Sequence, residues 1–167
     1  MRTIGKLVAG LSLVAVAGCS SVSAGVGGSN MGVGAGVTLP VSSRGEMEAL
    51  SDRINRHRVA MGCRPLIRDN RLAAVARRHS EDMVRRRFFD HTNPDGRDPF
   101  DRLRAAGIRY RAAAENIAQG QTRGRDTYDD WMESKGHRHN IENCKYTHFG
   151  IGVYQRTWTL ELARYAN

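Results

Sequence analysis

Apolar residues recur along this chain with two different periods, and the change between them predicts its architecture. Behind Ser43, with Glu46 three positions on as in a capping box, Met47, Leu50, Ile54 and Met61 fall at helical spacing up to Gly62. A second helix is predicted from about Asp69 to Arg87, with Leu72, Val75, Ala76, His79 and Met83 on one stripe. Asn93-Pro94-Asp95-Gly96 has turn chemistry, and Asp98 then caps a short helix with Pro99 at its first position and Gly107 past its end. A fourth helix, about Gly124 to Ser134, carries Tyr128, Trp131 and Met132 and stops before Gly136. After that the period drops to two: Phe149, Ile151 and Val153, then Trp158, Leu160 and Leu162, predict two antiparallel strands. Gln155-Arg156 between them lacks the residues of a tight hairpin, so a longer connection is expected there. Strands arriving after several helices argue for an α+β domain, with Trp131 and Trp158 in its core.

The first 43 residues obey neither period. Arg2 and Lys6 precede an apolar run, Leu7 to Ala17, that is shorter than the roughly 20 residues needed to span a bilayer. Val16-Ala17-Gly18-Cys19 puts small residues before a cysteine and resembles a bacterial lipobox, so residues 1–18 are read as a lipoprotein signal peptide. Cys19 would then be diacylated, and two chains give stable membrane anchoring. Ser20 in the next position resembles the outer-membrane sorting pattern of a Gram-negative cell. Residues 19–43 are read as the lipidated cysteine and a flexible tether rich in Gly and Ser, with a reach of roughly 25–30 Å. The folded domain is expected over residues 44–167, and the location is the exported, lipid-anchored cell envelope.

Charge and cysteine content refine this picture. The formal charge of +9 becomes about +7 without Arg2 and Lys6, and most of the basic residues are arginine. No aromatic residues interleave them in a stacking pattern, so no nucleic-acid partner is expected; a solvated arginine-rich face, or attraction to anionic lipid, accounts for the charge. With Cys19 used for lipid, Cys63 and Cys144 remain as an even pair in an oxidising space. A bridge would close a loop of about 82 residues and contribute roughly 4–5 kcal/mol; free thiols or a metal site are the alternatives.

HExxH, GxSxG, P-loop and Cys-x-x-Cys strings are all missing. The chain offers scattered polar residues instead: His91 after Phe88-Phe89, Glu115-Asn116 inside an Ala-rich stretch, and His137 beyond the fourth helix. Two histidines and a carboxylate from three segments can make a three-ligand site with an open fourth position. His79, on the apolar stripe of its helix, reads as a hydrogen-bonded core or floor histidine, and Glu115 could equally accept backbone N–H groups.

In order along the chain stand Ala76-x-x-His79-Ser80-x-Asp82-Met83, Phe88-Phe89-Asp90-His91-Thr92-Asn93-Pro94-Asp95-Gly96, Ala114-Glu115-Asn116-Ile117-Ala118, Trp131-Met132-Glu133-Ser134, Gly136-His137-Arg138-His139-Asn140-Ile141 and Phe149-Gly150-Ile151-Gly152-Val153. Together they resemble the bacterial branch of the CAP superfamily (cysteine-rich secretory proteins, antigen 5, pathogenesis-related proteins; the SCP-like domain) over about residues 46–163. The resemblance implies a three-layer α-β-α sandwich with a central antiparallel sheet and a central cleft. In eukaryotic members the cleft carries two histidines and two glutamates, and some bind zinc through the histidines. His91, Glu115 and His137 fall on three of those positions, which makes His91 and His137 the candidate metal ligands. The fourth position holds Ser134, with Glu133 one residue earlier, about 100° round the helix. Three functions compete on this reading: a tethered module whose cleft binds a peptide, lipid or envelope component, with or without a divalent metal; a metal-dependent hydrolase with Glu115 as general base; and a structural envelope protein with a vestigial cleft.

Overall fold

The computed structural model describes residues 41–166; Cys19 and the expected signal peptide and tether up to residue 40 lie outside the described residues. Among the described residues the chain runs α1 (Val41–Ala60), β1 (Ile67–Arg68), α2 (Asn70–Arg86), α3 (Pro99–Ala105), β2 (Tyr110–Gln119), α4 (Gly124–Glu133), α5 (Lys135–Glu142), β3 (His148–Tyr154) and β4 (Thr157–Tyr165). The strands form one sheet in the order β1-β3-β4-β2. Its pairings are antiparallel except at the two-residue β1, which lies parallel to β3.

Period-two alternation divides the sheet into two faces, and each face buries a helix layer. Phe149, Ile151 and Val153 of β3 and Trp158, Leu160 and Leu162 of β4 share a core with Met47, Leu50 and Ile54 of α1, Trp131 of α4 and Ile141 of α5. On the other face Ala163 packs with Leu72 and Val75 of α2 and Leu103 of α3. The result is the α-β-α sandwich. Gly150 and Gly152 let α2 lie directly on β3: a Cβ at Gly152 would sit 2.1 Å from the Arg77 nitrogen.

Three local expectations are corrected. α1 already runs from Val41, so Ser43 lies inside the helix; the Glu46 carboxylate instead accepts the Gly124 N–H at 2.7 Å and serves the start of α4. Met61 is 51% exposed, because α1 ends at Ala60 and Gly62 turns the chain with φ +81°. The apolar stripe continues to Arg58, which is fully buried and donates to the carbonyls of Ile141, Asn143 and Tyr146 at 2.7–3.0 Å. Finally, β3 and β4 are joined by Gln155-Arg156 alone, with Tyr154 paired to Thr157 and both turn residues at positive φ. That is the backbone a two-residue hairpin needs, adopted here without glycine or asparagine. Three elements went unpredicted: the two-residue β1, too short for any period to show; β2, whose Ala-rich sequence carries no alternation; and α5, which brings His137 onto a helix.

Cys63 and Cys144 form a disulfide with Cα atoms 5.1 Å apart, joining the segment after α1 to the segment after α5. The open side of β2 is covered by side chains. Carbonyls of the alternate residues Ala113, Glu115 and Ile117 face the Tyr146 hydroxyl, the Asn140 amide and the Trp131 indole N–H, which donate to them.

Candidate functional site

The site begins where α2 ends. Arg87 adopts a left-handed conformation (φ 57°), and the chain turns into the 88–98 loop. Short polar bonds hold that loop in shape: Asp90 Oδ1 accepts the Thr92 N–H, and Asn93 Oδ1 accepts those of Asp95 and Arg97. Asp98 and Asp101 then cap α3 reciprocally, which fixes the direction in which Arg102 leaves the helix.

Glu115 of β2, 1% exposed, is the centre of the network. Its Oε1 lies 2.8 Å from His91 Nδ1, and its Oε2 accepts from Arg102 Nη2 at 2.6 Å. Arg102 Nη1 donates to the carbonyls of His91 and Arg97, so one guanidinium ties the loop, α3 and β2 together. The His79 side chain, fully buried, donates Nε2–H to the Asp90 carbonyl at 3.1 Å and stands 3.8 Å from Glu115 Oε1. This is the floor role expected of it.

Facing Glu115 across the strand pair is Glu161, fully buried on β4. Among the described residues no donor lies within hydrogen-bond distance of either of its oxygens. Burial and the neighbouring Glu115 carboxylate raise its pKa well above the ordinary range. Glu161 therefore favours its neutral form beside the Glu115 carboxylate. Burial would raise the pKa of Glu115, but His91, His79, Arg102 and the neighbouring Glu161 outweigh it and hold Glu115 below the usual carboxylate range. The bond to Glu115 raises the pKa of His91 against its partial burial. Burial, and then the charge of His91, lower that of His137.

His137 sits half-buried on α5, which Asn116 ties to β2: the Asn116 amide donates to the His137 carbonyl at 3.1 Å, and its Oδ1 accepts from Asn140 at 2.8 Å. His91 and His137 thus share one electrostatic neighbourhood, with no hydrogen bond from the His137 ring to Glu115. Both Glu115 oxygens are taken. Among the described residues no three His, Cys, Asp or Glu side chains are arranged to hold a metal ion, so the three-ligand set His91, Glu115 and His137 is not assembled. Glu133 ends α4 exposed, outside the hydrogen-bond network of Glu115.

Arg102 and Glu161 escaped the sequence reading. The signal for Glu161 was present: Thr157, Thr159 and Glu161 alternate with Trp158, Leu160 and Leu162, which places a charged residue on a strand face that a helix covers. Arg102 is one arginine among many, and nothing in its spacing singles it out.

Comparison with known proteins agrees with this architecture. Residues 51–160 match the sequence model of the family described as CAP, the cysteine-rich secretory protein family. YkwD of Bacillus subtilis (strain 168) is 41% identical over 107 residues, 63% of this chain and 42% of that protein. The membrane protein YlbC of the same organism is 36% identical over 108 residues, 65% of this chain and 31% of that protein. The chain thus spans less than half the length of these relatives. Among solved structures, an extracellular protein containing a SCP domain from Bacillus anthracis str. Ames superposes with a TM-score of 0.70 at 33% identity, covering 72% of this chain and 41% of that one. An outer surface protein from Borrelia burgdorferi has the same fold, with a TM-score of 0.69 at 18% identity, covering 75% of this chain and 97% of that one.

Proposed function

The chain belongs to the CAP (cysteine-rich secretory protein) family, and on that premise we propose that it is an exported, lipid-anchored binding module whose His91–His137 cleft engages a peptide, lipid or envelope component. The observation that carries this reading is the state of Glu115. Its two oxygens are bonded to His91 and Arg102, and its pKa is held low. A carboxylate so occupied is a poor proton acceptor, which argues against the general base of a hydrolase. The same bond fixes the His91 ring by its Nδ1 and leaves Nε2 for a ligand, on a side chain that is 46% exposed. Near and below its raised pKa, His91 presents a cationic donor.

A divalent metal, zinc by family resemblance, would use His91 Nε2 and His137, with Glu115 orienting the first histidine rather than ligating. Zinc titration calorimetry beside a His91→Ala/His137→Ala variant tests this: saturable one-to-one binding that the variant loses supports the metal, and equal heats in both proteins remove it. In the same variant a hydrolase loses turnover, a binder loses affinity, and a structural protein loses neither. Export is supported by the signal-like N-terminus and by the extracellular protein of Bacillus anthracis and the outer surface protein of Borrelia burgdorferi that share the fold. Cys19→Ala should move the protein from the membrane to the soluble envelope fraction; unchanged membrane association would remove the lipid anchor.

A further inference from the structure

A second polar site lies behind the Glu115 network. α2, the 93–97 turn and α3 enclose a cavity of about 520 Å³, within the range of small-ligand sites. Arg102 lines it, and the acceptors already described engage both terminal nitrogens of that guanidinium, whereas its Nε–H is buried and meets no acceptor among the described residues. His79 lines it too, with Nδ1 buried and unpartnered. An orphaned buried donor is expensive unless a ligand or water completes it.

The rest of the wall is charged, and its acids are committed. Glu81 pairs with Arg85 at 2.6 Å; Asp82 accepts from Asn93 at 3.2 Å and lies 3.7 Å from Arg86. Arg78 and Arg97, both exposed on the wall, have no carboxylate within ion-pair distance among the described residues. The wall therefore offers two uncompensated positive charges above a buried guanidinium N–H. Planar guanidinium groups match the oxygens of phosphate, and two free charges match a dianion.

We propose that this cavity is a binding site for a phosphate dianion, free or as the phosphomonoester of a small molecule or lipid headgroup, held by Arg78, Arg97 and Arg102 Nε. It does not depend on how the His91–His137 cleft is used. The Arg102 Nε–H, left over by the bonds of the two terminal nitrogens, receives the anion, so the two sites share one residue and no ligand.

Inorganic phosphate is titrated into the purified full-length protein by calorimetry at constant ionic strength, beside an Arg78→Gln/Arg97→Gln variant. Both side chains are exposed, so the variant should keep its Tm in phosphate-free buffer. Saturable one-to-one binding, weakened at least about tenfold in the variant, is expected from the loss of two charge-assisted contacts. The Arg102 Nε–H resonance should move on saturation. Vesicles of phosphatidic acid distinguish the source: binding to them that the variant also loses assigns a lipid headgroup, and binding of free phosphate alone assigns a soluble ligand. The proposal is overturned by the absence of saturable phosphate binding, by equal affinity in the variant, or by saturation that leaves the Arg102 Nε–H resonance unmoved.

Discussion

Glu161 has no cation to neutralise it, and that isolation has a measurable consequence. The folded chain keeps the Glu161 proton at pH values where the unfolded chain, with an ordinary carboxyl near 4.5, has released it. Stability contributed by this residue is therefore greatest below that value and declines as pH rises. Glu161→Gln keeps the shape while removing the titration. Its Tm should exceed that of the parent at pH 7 by at least about 2–4 °C, the equivalent of roughly 1 kcal/mol in a chain of this size, and the gap should close towards pH 4. Parallel Tm-against-pH curves would show that Glu161 is not held protonated. His91 titrates with the same sign for a different reason. Its bond to Glu115 raises its pKa, so the charge it carries stabilises the fold below the ordinary 6.5 and is lost as pH passes the raised value. In Glu115→Gln the largest raising influence is gone while burial and the Arg102 charge still act against the remaining Asp90 charge, so the ring resonances of His91 should titrate at lower pH than in the parent by NMR; an unshifted midpoint would mean Glu115 does not set the charge of the site.

At the scale of elements, the contact of α2 with β3 is the least forgiving. A Cβ at Gly152 would meet the backbone of Ala76 and Arg77 at 2.1–2.4 Å, and one at Gly150 the backbone of Leu72 and Ala73 at 2.0–2.3 Å. Backbone cannot rotate aside as a side chain can, so Gly152→Ala must lift the helix from the sheet. The expected cost is at the upper end for overpacking, about 3 kcal/mol, read by chemical denaturation. A loss under about 1 kcal/mol would mean that α2 shifts freely, and the position of His79 with it. The helices that could be read from sequence were those with a strong apolar stripe or a side-chain cap: α2 with Asp69 accepting from Arg71 and Leu72, and α3 with its reciprocal Asp98–Asp101 cap. β3 and β4 were legible although both faces are covered, because large apolar residues on one face alternate with Gly150, Gly152, Thr159 and Glu161 on the other. α5 was not, because Lys135–Glu142 buries Ile141 alone and contains Gly136. β2 was not, because small alanines pair as readily in a strand as in a helix; it is a strand through its long register with β4, from Tyr110↔Tyr165 to Gln119↔Thr157. The site followed the same division. His91, Glu115 and His137 were recognisable from their motifs, while Glu161 and Arg102 acquire their roles only when β4 and α3 are brought beside β2.

Two devices close the molecule around α1 and α5, and they act on different states. Arg58 works in the folded chain, where its guanidinium gathers carbonyls from the α1–β1 and α5–β3 connections. The Cys63–Cys144 bridge spans the same two connections, but its main effect is on the unfolded chain, whose freedom it restricts over a separation of 81 residues. Because Arg58 already holds the junction, opening the bridge should leave the native packing in place and lower only its stability. A Cys63→Ser/Cys144→Ser variant is expected to keep the near-UV circular dichroism of the parent, with its buried Trp131 and Trp158, while losing about 4–5 kcal/mol in chemical denaturation. Arg58→Met should do the reverse in kind. It leaves carbonyls of Ile141, Asn143 and Tyr146 without their donor in the folded state, so the junction itself loosens and amide exchange quickens there while the bridge stays intact. If the serine variant instead loses its near-UV signal at room temperature, the bridge holds the native junction rather than restricting the unfolded chain, and Arg58 is secondary to it.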